Sequence, residues 1–389
     1  MPSATLKRVT SRPPVVIAAL SLVAVTGFFL VGRLVHRFSE QQKALARHLY
    51  AQGDADLAGG HPDRAIEEFR AALLYSRDNF AYQLSLARAL RDTGRTAEAG
   101  SYLVSLWERS PQDAAVNLAL GRLAVRQGEL DKAIQYYHNA IYGVWAADAD
   151  TRRINAWFEL IEFLLHQNAG PQAQSELIML GAEMPRDPEL QVRVAALFFQ
   201  VQDYEHALAE YEHVLQSLHS DSAALYGAGQ AAFHLGRYRA AERYLQTATK
   251  ANPNDAAAAQ LLEMTNLVLD ADPSLPRLSP GERARRIRAA FAQAGKRLDR
   301  CVGPQSPASA TASSPATAQL LANDLASLKT QWMAMKPKVD RAHADSDLLD
   351  SAMDLVFQIE QQTSAGCSAP APEDQALLQL SQNPGGVVR

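Results

Sequence analysis

The first pattern along the chain is an uncharged run of eighteen residues, Val15 to Gly32, reading VVIAALSLVAVTGFFLVG. As a helix rising 1.5 Å per residue it is about 27 Å long, close to the roughly 30 Å thickness of a bilayer's hydrocarbon core. The run therefore predicts a transmembrane anchor over 15–32, with 1–14 as a short cytoplasmic tail. A cleaved signal peptide is the alternative, but the run is longer than a usual signal core, and Arg33-Leu34-Val35-His36-Arg37 offers no small-x-small cleavage site. Lys7, Arg8 and Arg12 precede the run while Arg33, Arg37, Lys43 and Arg47 follow it. Counting basic residues thus leaves the orientation nearly balanced.

From Ala46 onward the pattern takes on helical period. Its clearest stretch is Asn117 to Ala140, NLALGRLAVRQGELDKAIQYYHNA, which reads as two amphipathic helices joined at Gly128. With Ala133 set at position 20 of a 34-residue frame, Leu120 and Gly121 fall at 7 and 8, Gly128 at 15, Tyr137 at 24 and Ala140 at 27. The same frame fits 46–79 (Gly53, Gly60, Ala65, Phe69), 80–113 (Ala87, Gly94, Ala99), 114–147, 154–187 (Leu160, Ala173, Leu177), 188–221 (Ala195, Ala207, Tyr211) and 222–255 (Gly229, Gly236, Ala241, Leu245). Asp148 to Arg153 interrupt the register as a six-residue insertion, Asn168 and Gln202 stand where the turn glycine belongs, and Trp145 stands where proline is usual. Small residues at 8 and 20 let paired helices approach, and larger ones at 7, 11 and 24 fill the gaps between pairs.

Six units in register resemble the tetratricopeptide-repeat family. The resemblance implies an all-α chain with an α-solenoid over 46–272, closed by a solvating capping helix at 256–269. In this family the first helix of each repeat turns positions 2, 5, 9, 12 and 13 into a concave groove where peptides lie. The groove residues implied here are Tyr50, Leu84, Arg88, Arg91, Leu118, Arg122 and Arg126 early in the array, then Phe158, Glu162, Leu165, Val192, Phe199, Tyr226 and Phe233. The arginines suit carboxylates or phosphates and the later residues suit apolar side chains. The pattern differs from the lysine and asparagine clamp of chaperone-binding members.

After Pro273 and Pro276, Ser279-Pro280-Gly281-Glu282 is an S-x-x-E capping box with proline at the first helical position. The helix it starts, 279–302, has an apolar face of Ile287, Phe291 and Leu298 and a remainder rich in arginine, readable as a solvated face or as a surface for anionic lipid. Leu321, Leu325, Leu328, Trp332 and Met335 mark a second helix, and Leu349, Ala352, Val356 and Ile359 a third. The expectation is a three-helix module over 277–363 with a flexible linker at 303–316 and a disordered tail at 364–389. Three helices alternating in direction bring the ends of the first and third together, which makes Cys301 and Cys367 a disulfide candidate.

Composition narrows the function. The chain has 47% hydrophobic and 7% aromatic residues and a net charge of -4, with no polycationic field for nucleic acid. Neither cysteine lies in a CxxC or CxxCH context. No nucleotide loop, HExxH, GxSxG or paired-carboxylate signature is present, so no catalytic residue, cofactor or resident metal is expected. His206, His213 and His219 sit six and seven residues apart, too far along a helix to share one ion unaided. The expected function is a membrane-tethered scaffold or assembly factor that holds a peptide or helix of a client protein, projected from a bacterial inner membrane into the periplasm. The alternatives are a homo-oligomeric structural subunit joined through the Leu321–Met335 stripe and a cytoplasm-facing recruiter.

Overall fold

The computed structural model describes residues 13–302, 315–341, 345–367 and 369–383. The fold is all-α, and seventeen helices lie among the described residues. They form two compact units divided between Gln167 and Asn168. Residues 1–12 of the expected tail and 303–314 of the expected linker lie outside the described residues.

The first unit holds α1 (Pro13–Ala58), α2 (Pro62–Tyr75), α3 (Phe80–Asp92), α4 (Thr96–Arg109), α5 (Ala114–Gln127), α6 (Leu130–Ile141) and α7 (Ala149–His166). The uncharged run lies inside α1, which is long and apolar enough to cross a membrane and has none of its apolar window buried against the protein. Without a break the same helix becomes the first helix of the first repeat. There the absence of a side chain at Gly53 matters, because a Cβ would meet the Phe69 ring at 2.6 Å. Gly121 faces Tyr137 in the same way. Positions 8 and 24 of the frame thus touch within these two pairs, and Phe69, Leu86, Leu90, Leu103 and Leu106 lie fully buried. The six residues that interrupt the frame form no separate loop. Asp148 takes a positive φ of 50° and the remainder extends α7 at its N-terminus.

The second unit holds α8 (Gly170–Glu183), α9 (Pro188–Gln200), α10 (Tyr204–Ser217), α11 (Ser222–His234), α12 (Tyr238–Ala251), α13 (Ala256–Ala271), α14 (Pro280–Val302), α15 (Pro315–Val339), α16 (Ser346–Gly366) and α17 (Pro372–Gln382). Gly229 fits against Leu245, the same contact of positions 8 and 24. In both units position 34 starts the next pair: Asn79, Asp113, Asp187, Asp221 and Asp255 each accept a hydrogen bond from a backbone N–H in the first turn of the helix that follows. Such caps stabilise a helix by about 1 kcal/mol apiece.

The C-terminal part departs most from expectation. Within 364–389, expected as a disordered tail, Pro372–Gln382 is a helix with Ala376, Leu377 and Leu380 buried. It packs on α13, α14 and α16, so the module has four helices and α13 is covered rather than presented to solvent. Part of the Leu321–Met335 stripe is likewise engaged within the unit. Leu325 and Leu328 are buried, and Trp332 stacks on Phe291 while its indole N–H donates to the Phe291 carbonyl at 2.8 Å. Leu325, Leu328 and Trp332 are thus held within the unit rather than offered to a second copy. Three arginines of α14 reach the ends of other helices. Arg286 donates to the carbonyls of Leu269 and Asp272 at the end of α13, Arg288 to Val339 and Arg341 after α15, and Arg297 to Thr363 and Ala369 around the end of α16. Helix ends leave carbonyls without intrahelical donors, and a cation there also opposes the helix dipole. A disulfide joins Cys301 to Cys367, their Cα atoms 5.7 Å apart and 66 residues apart in sequence.

Candidate functional site

In the first unit the groove positions separate into three kinds. Leu84, Leu118 and Phe158, all at position 5, are buried, Phe158 to 1% exposure. These side chains therefore contribute packing rather than open surface. Tyr50 is half-buried at the same position of the first repeat, stacked 4.6 Å from Tyr82, with its hydroxyl 3.2 Å from that of Ser85. Glu162 and Arg126 are exposed and Leu165 is half-buried.

The arginines differ from one another more than their spacing suggests. Arg88 and Arg122 both occupy position 9, one repeat apart. Arg122 is held by a carboxylate of α7, its Nε 2.8 Å from Glu159 Oε2 and its Nη2 on the other oxygen. That hydrogen bonding raises its pKa against the opposing effect of burial. Arg88 makes no hydrogen bond or ion pair among the described residues, and its Nε is shielded from solvent without an acceptor. Burial, and then the charges of Arg122, Arg91 and Arg152, push its pKa down. Arg91 lies one turn further on, 11% exposed. It binds Asp92 through Nε and Nη2, at 2.9 and 2.8 Å, while its Nη1 is buried without a partner. Glu159 and Arg152 were not among the residues singled out from the sequence. Glu159 stands at position 6, outside the positions assigned to the groove, and Arg152 lies in the insertion.

The second unit presents an aromatic patch in place of a charged one. Phe199 is half-buried and meets the rings of Tyr204 and His234 at 5.1 and 5.3 Å, while Tyr204 and His234 stack at 4.5 Å. Burial lowers the His234 pKa. Phe233 is buried against Tyr238 and so adds little surface, whereas Val192 and Tyr226 are half-buried. His206 bonds Asp203 at 2.7 Å and stacks on Phe198, and His213 approaches Glu210 at 3.8 Å. Each has a local partner of its own.

Tetratricopeptide-repeat family models match residues 50–114, 90–142 and 198–264. The chain carries tetratricopeptide repeats. Solved structures with a similar fold include PilF of Pseudomonas aeruginosa, at 15% identity over 57% of this chain and 99% of that one, with a TM-score of 0.39. The C-terminal part of a repeat-containing protein from Cytophaga hutchinsonii is similar at 15% identity, over 62% of this chain and 94% of that one, with a TM-score of 0.44. PilW, a type IV pilus biogenesis factor, is similar at 16% identity over 56% and 98%, with a TM-score of 0.38. No curated protein matches the chain significantly. Tetratricopeptide repeats mediate interactions between proteins and are typically non-catalytic.

Proposed function

We propose that this tetratricopeptide-repeat protein is a bilayer-anchored scaffold, an adaptor or assembly factor that binds a segment of a client protein on the face made by the first helices of its repeats. The observation that carries this reading is the continuity of α1. One helix, Pro13–Ala58, contains the uncharged run and ends as the first helix of the first repeat. No flexible hinge intervenes, and the fourteen helical residues from Arg33 to Ala46 set the first repeat on a stalk of about 21 Å. A face held this close to the membrane meets membrane-bound clients at raised effective concentration, which lets a weak contact suffice.

In this reading residues 15–32 span a bacterial inner membrane, residues 1–14 lie in the cytoplasm and the repeats stand in the periplasm. The Cys301–Cys367 disulfide supports that side, because disulfides persist in oxidising compartments. The test is photocrosslinking in intact cells from a benzoylphenylalanine placed at Arg126 or Leu165, with the exposed Leu74 of α2 as control. The expected result is one shared set of crosslinked proteins from the first two sites and not from the third. Crosslinks from Leu74 alone, or from none of the three, would overturn the reading.

A further inference from the structure

Arg88 and Arg122 are a natural comparison, the same residue at the same position of consecutive repeats. One is neutralised by a carboxylate and the other is not. Around Arg88 the structure gathers donors that lack acceptors. Its Nε and the Nη1 of Arg91 are both buried without a partner, and Arg152 adds a further positive charge. Two nearby carboxylates are already engaged, Asp92 by Arg91 and Glu159 by Arg122. What the place lacks is a planar pair of oxygens, the shape a guanidinium fork takes up bidentately. Glu159 supplies that pair to Arg122 from within the chain.

Building on the scaffold reading above, we propose that Arg88 is the seat for an aspartate or glutamate side chain of the client segment, and that Glu159 is an internal stand-in for such a group at Arg122. Tyr50 lies near Arg88 and is itself held by Tyr82 and Ser85. A client with one acidic residue engages Arg88 alone. A client with several competes with Glu159 for Arg122, so removal of the Glu159 charge strengthens the binding of acidic segments.

The experiment uses the full-length protein in phosphatidylcholine nanodiscs at about 0.1 M salt and three fluorescent nonapeptides read by anisotropy. One is (Glu-Leu-Glu) repeated three times, the second its glutamine twin, and the third carries phosphoserine in place of each glutamate. The glutamate peptide is expected to bind and the glutamine twin not to. Arg88→Met, which keeps the apolar stem, should weaken binding about tenfold or more, the loss of one charge-assisted pair. Arg88→Lys should restore only part, since it returns the charge without the fork. Glu159→Gln should tighten binding severalfold, a gain that misfolding cannot produce. Equal binding of the glutamate and glutamine peptides, or an Arg88→Met protein that binds like the parent, overturns the proposal. So does binding of the phosphoserine peptide alone, which would assign the seat to phosphate. If the peptides fail while crosslinks from Arg126 and Leu165 persist, the scaffold reading stands and only the carboxylate seat falls.

Discussion

Glu360→Gln should abolish a pH dependence that the C-terminal helices otherwise carry. Glu360 lies on α16 with 2% of its surface exposed, and one of its oxygens has no hydrogen-bond partner. The charged groups acting on it are Asp374, Arg297 and Arg300. Asp374, fully buried, accepts from Gln293, Arg300 and the backbone N–H of Ala371. Arg300 is thereby engaged by Asp374 rather than by Glu360. Burial first, and then the Asp374 charge, push the Glu360 carboxyl from 4.5 up to about 8, against the pull of the two arginines. Between those pH values the folded protein keeps a proton that the unfolded chain has released. The folded state therefore binds more protons, and stability falls as pH rises through the window. Below it both states are protonated, above it both are ionised, and no further change arises from this group. A displacement from 4.5 to about 8 corresponds to about 5 kcal/mol at 1.36 kcal/mol per unit, and relaxation around the ionised group brings the expected loss to about 2–5 kcal/mol. The assay is hydrogen exchange of peptides from α16 and α17 in the full-length protein between pH 6 and 9, corrected for the intrinsic rate. Protection should decline tenfold or more beyond that correction in the parent and stay level in Glu360→Gln, which has no proton to lose. Parallel profiles for the two proteins would refute the reasoning.

The remaining predictions concern the covalent and backbone constraints. Reducing the Cys301–Cys367 bond opens a loop of 66 residues, which in the chain-entropy model lowers the stability of α14 to α17 by about 4 kcal/mol. Urea titration followed by exchange of α14 and α16 peptides should show an earlier midpoint after reduction, and Cys301→Ser should reproduce it without reductant; coincident midpoints would count against the model. Gln202 turns the chain between α9 and α10 at a φ of 62°, where other repeats place glycine. Gln202→Gly removes a steric cost of about 1–2 kcal/mol and adds an entropic one of about 0.5–1, so a net gain of about 0.5–1 kcal/mol is expected as slower exchange in α9 and α10. A loss would show that the glutamine side chain contributes packing that its backbone strain conceals.

The repeat frame was legible because its signals are local and periodic. Gly53, Gly121 and Gly229 announce the close approach of two helices wherever they fall, and the structure sets each against the residue at position 24 of its own repeat. The caps at Asn79, Asp113, Asp187, Asp221 and Asp255 were legible in principle too, since acidic or amide residues recur every 34 positions apart from the insertion, immediately before a helix. The C-terminal helices were harder. Pro372-Glu373-Asp374 followed by Ala376, Leu377 and Leu380 has the proline and the acidic first turn of a helix start, but a short apolar run within a proline-bearing tail also suits disorder. Its helix holds because Asp374 and the leucines meet α14 and α16, contacts that no local pattern contains. The arginines of α14 misled for a related reason. Spacing shows which face of a helix a residue occupies, yet not that the ends of three other helices arrive there with unmet carbonyls.

The candidate site marks the same limit at the scale of single residues. Position 9 singles out Arg88 and Arg122 as equivalent cations, and nothing in the pattern distinguishes them. The distinction is made by Glu159, which reaches back 37 residues from position 6 of the following repeat. Position 6 points toward the neighbouring pair, so its chemistry is decided by what that neighbour offers: Arg122 happens to be within reach, and no equivalent acid serves Arg88. An array of equivalent positions thus yields inequivalent sites once each repeat answers to the next. The most informative arginine in such a groove is therefore the one whose partner the chain itself does not provide.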